Sequence, residues 1–136
     1  MWHLLITPII LLIVSFFICN KDIVLVGRIL AGTFIFDVFT CTLTPDSWYY
    51  IRSAVTDLLM FSTVFIIRNH LAAFGVGIAC LISFVLNIYE QFNYYQTIFY
   101  PYRPFIQFAL TQLMIMSLLM DCKWRDICKT ASQKRC

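Results

Sequence analysis

Asp37 and Asp57 stand inside apolar runs, FIFDVF and AVTDLL. An ionisable group placed in hydrocarbon needs a partner or a purpose. Two such carboxylates open three kinds of chemistry: acid–base cleavage of a peptide, attraction of cations into a lumen, or hydrogen bonding between helices. The first calls for a GxGD context, which neither Asp has. Arg28 and Arg52 also fall within apolar runs, each about two turns or less from an end, where a long side chain can reach headgroups as an anchor. The most economical arrangement pairs Arg52 with Asp37 and leaves Asp57 to hydrogen-bond Ser53 or to carry a proton.

Other chemistries lack their residues. There is no nucleotide-cradling glycine loop, no HExxH, no CxxC pair and no GxSxG elbow. The cysteines do not form a disulfide framework: Cys19, Cys41 and Cys80 sit in apolar runs, while Cys122, Cys128 and Cys136 belong to a basic C-terminal segment. Cys122 and Cys128 have no His nearby to complete a zinc site, and in a eukaryotic host all three tail cysteines, Cys122, Cys128 and Cys136, become palmitoylation candidates. His3 and His70 fall at opposite faces of the expected bundle, so no Cys/His or Ser/His site assembles. No catalytic residue, cofactor or metal site is expected.

The elements that position these groups follow from composition. In 136 residues, apolar types make up 61% and charged types 12%, against about 45–50% and 25% in an ordinary soluble domain. So few charges cannot cover so small a protein in water. The expected architecture is therefore an all-α transmembrane bundle of five spans, about 2–19, 23–42, 49–67, 71–89 and 104–120, followed by a basic tail at 121–136 suited to an interfacial helix. The alternative has four spans and a re-entrant or interfacial second segment. The first run lacks the basic start and small-residue cleavage site of a signal peptide.

Positive charge sets the expected orientation. Lys123, Arg125, Lys129, Lys134 and Arg135 crowd the tail, which puts it in the cytoplasm. Counting back, Lys21 with Arg28 and the Arg68–His70 turn lie inside, and the N-terminus lies outside. All seven tyrosines then fall at or beyond outer ends of spans. Trp48, Tyr49, Tyr50, Tyr94, Tyr95, Tyr100 and Tyr102 read as an interfacial belt or as an outer aromatic surface for a partner.

Depth along the helices assembles one polar layer in the outer leaflet from Asp37, Arg52, Asp57, Asn87 and Gln107. Gly75, Ala79 and Ser83 share a helix face with Asn87 and form a close-packing stripe. Below the layer the side chains are apolar and bulky, so a single copy has no evident pore. The tail residues Lys123, Trp124, Arg125, Lys129, Lys134 and Arg135 suit contact with anionic lipid or a partner. Asp121 and Asp126 argue against nucleic acid.

In size and tail charge the chain is similar to phage holins. That likeness implies a multi-pass, oligomeric pore of the bacterial inner membrane and carries no residue-level motif. The preference for Ile, Leu and Phe over Gly fits a viral or phage genome. The expected function is a non-enzymatic interaction or assembly subunit, a homo-oligomer or bound to another membrane protein. A holin-like pore or small transporter with its Asp residues facing a lumen is the alternative.

Overall fold

Asn20 starts the first well-defined helix. Its side-chain Oδ1 accepts from the Asp22 amide at 2.9 Å, which satisfies one of the donors a helix leaves open at its start. In the computed structural model the described residues are 6, 9–10, 12–13, 20–41, 43, 45–93, 98 and 100–135, with backbone alone at 46, 100, 122–129 and 134–135. Helix α1 (Lys21–Cys41) buries Ile23, Val26, Gly27, Leu30 and Ala31. That spacing marks a single stripe along a 3.6-residue period. Its other faces expose Leu25, Phe36 and Phe39. The expected first span, Trp2–Cys19, lies mostly outside the described residues; those described within it are helical, and Leu12 packs against the core.

A 3-10 turn at Asp46–Trp48 leads into α2 (Tyr49–Ser62). Tyr50, Ala54, Asp57 and Met60 share its buried face. Regular α-helix stops at Ser62, short of the expected Ile67, and a 3-10 turn continues over Thr63–Phe65. Two hydroxyls turned back on the backbone mark this point. Ser62 Oγ donates to the Leu59 carbonyl at 2.5 Å and Thr63 Oγ1 to the Met60 carbonyl at 2.6 Å, a competition that loosens the regular ladder. Helix and turn together reach about 27 Å, a little under the thickness of a hydrocarbon core.

Helix α3 (Ala72–Asn93) is 22 residues long and buries Ala72, Val76, Ala79, Cys80, Ser83 and Asn87 along one side. After a 3-10 turn at Tyr100–Tyr102, α4 runs from Arg103 to Arg135 in 33 unbroken residues. Pro104 sits in its first turn, where a missing amide hydrogen costs nothing. The backbone has no break near Met120, so the expected tail continues the same helix.

All described elements are helical, and they run alternately up and down. Three helices are long and apolar enough to cross a membrane by length and composition: α1, α3 and the Arg103–Asp121 part of α4. The core between them is built chiefly on apolar side chains, among them Met60, Val76, Ala79, Cys80, Leu110 and Met114, with buried polar ones such as Asp57, Ser83, Asn87 and Thr111 set among them. The outside is apolar too, with Phe36, Phe65, Phe74, Phe92 and Phe105 exposed.

The tightest approach is between α3 and α4. A Cβ built on Gly75 would run into the Ser117 side chain, including its Cβ, which cannot rotate away. Gly75→Ala should therefore push the two helices apart and destabilise the fold by about 1–3 kcal/mol, the usual range for overpacking. Ser117→Gly in the same chain should recover most of that loss. Denaturation in mixed detergent micelles measures both, and equal stability of Gly75→Ala and wild type would contradict the contact.

Candidate functional site

The polar contacts between helices lie toward the two ends of the bundle. At the end where α1 and α3 finish and α2 and α4 begin, Arg52 reaches from α2 to the last turn of α1. Its Nη1 lies 3.4 Å from Asp37 Oδ1 and donates to the Asp37 carbonyl at 2.6 Å and to Thr40 Oγ1 at 2.5 Å. A cation there opposes the partial negative charge of the α1 C-terminus. The guanidinium also lies 5.2 Å from the centre of the Tyr49 ring, within cation–π range.

A second chain of contacts runs beside it through α2, α3 and α4. Asn87 donates through Nδ2 to Asp57 Oδ2 at 2.6 Å, and both residues are 3% exposed. Arg103, at the start of α4, donates in turn to Asn87 Oδ1. With its amide hydrogen on the Asp57 carboxyl group and its carbonyl facing the guanidinium, Asn87 bridges a buried acid and a cation at the start of α4. Glu90, one turn further along α3, is fully buried as well. Gln91 Nε2 donates to the Ser47 carbonyl at 2.9 Å and ties α3 to the α1–α2 connection.

The other end is formed by the start of α1, the α2–α3 turn and Asp121 on α4. Asp121 Oδ1 accepts from the Leu71 amide at 2.8 Å, which caps α3 from a different helix. Its Oδ2 lies 3.0 Å from His70 Nδ1. The ring's far nitrogen, Nε2, is 3.6 Å from Asp22 Oδ2. The imidazole thus has a carboxylate on each side.

Of the five residues expected in one layer, Asp37 joins Arg52 and Asp57 joins Asn87. Gln107 is half-buried, and its carbonyl accepts from the Thr111 hydroxyl. The residue of α4 that closes the layer on Asn87 is Arg103, which stands at the helix start with a side chain long enough to reach back. Asn87, from another helix, takes the place expected for Ser53 on Asp57. Ala79 and Ser83 are buried and Gly75 half-buried, all on the α3 face toward its neighbours.

The aromatic set divides. Trp48 and Tyr102 are exposed and Tyr49 is half-buried. Tyr50, expected on the outer surface, is instead 4% exposed. It shares the α2 face of Ala54 and Asp57, its ring centre 5.2 Å from that of Tyr49 at 80° and within 6.0 Å of the Arg103 guanidinium. Tyr94 and Tyr95 lie outside the described residues, as do the side chains of Tyr100, Lys123, Trp124, Arg125, Lys129, Lys134 and Arg135.

Sequence reasoning missed His70, Asp22 and Asp121, and it left Arg103 as an isolated outer charge. A signal existed for the first group: in the up-down arrangement residues 22, 70 and 121 all fall at the same end. Among the described residues no three or more His, Cys, Asp or Glu side chains are arranged to hold a metal ion. Comparison with protein-family models, with curated proteins and with solved structures finds no match to this chain.

Asn87 is the centre of the first site, and its removal should be felt. Asn87→Ala should destabilise the fold by about 1–3 kcal/mol, because it strands a buried carboxylate. In a double-mutant cycle with Asp57→Ala the coupling should be about 1 kcal/mol, in the range measured for polar contacts between membrane helices. Strict additivity would show that the contact contributes nothing to stability.

Proposed function

We propose that this chain is a multi-pass integral membrane protein without catalytic activity, acting as an interaction or assembly subunit, as a homo-oligomer or with another membrane protein. One observation carries the reading. The buried Asp57 is satisfied inside its own protomer by Asn87, itself held by Arg103. Between that end and the His70 end the core is mainly apolar, with Met60, Val76, Cys80 and Met114 on facing helices. It is interrupted only by single buried hydroxyls such as those of Thr63 and Thr111, which donate to their own helix backbone. A conduction path needs polar lining through its whole length. These carboxylates work as structural links between helices.

On this reading five spans cross the bilayer, with the N-terminus outside and the basic tail in the cytoplasm. A bacterial inner membrane, in a phage or viral setting, suits that arrangement. The short α2 crosses as the third span with its 3-10 extension. Three apolar helices of spanning length and an apolar exterior support the membrane address. The surfaces left for partners are the exposed aromatics Trp48 and Tyr102 and the charged continuation of α4.

Four measurements test the proposal. Impermeant thiol reagents on intact cells should leave Cys136 unlabelled and should label a cysteine placed at Tyr95; external labelling of Cys136 reverses the orientation. In planar bilayers the purified protein should give no discrete conductance. Asp57→Asn should change stability or assembly alone, whereas reversing the charges of Lys123, Arg125 and Lys129 should abolish partner binding by a folded protein. Discrete conductance that depends on Asp37 or Asp57 would move the chain to the holin-like pore class.

A further inference from the structure

His70 is the one described imidazole in the bundle, and it is almost fully enclosed, with a side chain 5% exposed. Its two ring nitrogens meet carboxylates of different character. Asp121 is 2% exposed and is already fixed by the Leu71 amide. Asp22 is 60% exposed and sits in the first turn of α1. A neutral imidazole has one N–H and one lone pair, and only the imidazolium turns an N–H to each side, toward Asp121 at hydrogen-bond distance and toward Asp22 at ion-pair distance.

The two jaws therefore respond to a proton differently. Asp121 is a buried acceptor 3.0 Å from Nδ1, so a hydrogen must stay on Nδ1 in either charge state. Loss of a proton must then come from Nε2, which turns a lone pair toward the carboxylate of Asp22. We propose that His70 is a proton-operated clasp, holding the start of α1 to the α2–α3 turn when charged and releasing it when neutral, while Asp121 keeps the ring in place. Histidine is the side chain suited to such switching at ordinary cellular pH.

The surroundings leave the Asp22 arm free to respond. The charged groups at this end are Lys21, Asp22 and Arg28 on α1, Arg68 in the turn and Asp121 on α4, with Lys123 and Arg125 following on α4. The Thr63–Ile67 segment and the first turns of α3 contribute none. Lys21 and Arg68 are exposed and screened by solvent. Release is local, because Ile23, Val26 and Leu30 still pack α1 into the core. The clasp governs only the first turns of that helix.

The test uses the full chain in nanodiscs, with His3→Gln so that His70 is the only imidazole observed. Nitrogen NMR reads the tautomer, and hydrogen exchange reads the amides of residues 23–27. As the pH is raised stepwise the imidazolium should give way to the Nδ1–H tautomer. Over the same titration, amide exchange in 23–27, corrected for its intrinsic pH dependence, should rise severalfold. Asp22→Asn should keep the Nδ1–H tautomer and abolish the pH dependence of that exchange, and His70→Gln should abolish it too. An Nε2–H tautomer, or corrected exchange that stays flat in the wild type, overturns the clasp whatever the variants do. So does an unchanged pH dependence in Asp22→Asn.

Discussion

A helix end inside a protein leaves backbone donors or acceptors that something must satisfy, and in this bundle the partners come from other helices. Asp121 closes the start of α3 from α4. Arg52 closes the end of α1 from α2 through the Asp37 carbonyl and the Thr40 hydroxyl. Each of these contacts fixes where one helix ends and which neighbour lies beside it. The up-down order of the helices and the placing of polar contacts between helices toward the two ends both follow from the requirement to satisfy helix ends.

Between the ends, cohesion comes from shape. The buried faces carry small residues on α3, such as Ala72, Ala79 and Cys80, against longer ones on its neighbours, such as Met60 and Met114. Gly75 lets α4 come close enough for Ser117 to fill the space a side chain would need. Lipid gives helices little hydrophobic reason to associate, so close packing and a few polar contacts must supply the preference. The polar links fix register and the small residues fix distance.

Much of this was legible in the sequence because the residues concerned obey one-dimensional rules. The α1 and α3 helices come from apolar runs of spanning length. Counting depth along helices puts Asp37 within reach of Arg52 and Asp57 within reach of Asn87, the two contacts found, though not a single layer that includes Gln107. The end of α2 was not legible. Ser62 and Thr63 look like ordinary members of an apolar run until their hydroxyls turn back on the chain. Tyr50 was misjudged because residue type was allowed to outweigh helical phase: it stands seven residues before Asp57, on the same face. The His70 cluster was missed for a different reason. Its members lie in three separate segments, and Asp121 was assigned to a tail by its charged neighbours when it belongs to the bundle by its contacts.

The continuity of α4 across Asp121 gives its far end a fixed rotational phase. At about 100° per residue and 1.5 Å of rise, the helical segment beyond Asp121 is geared to the part clamped by His70 and the α3 start. One residue inserted there would turn everything downstream by more than a quarter circle, while seven would restore the facing almost unchanged. A roll of α4 within the bundle would likewise appear undiminished some 20 Å away. Whatever grips the distal turns is coupled to the bundle by torsion as well as by attachment.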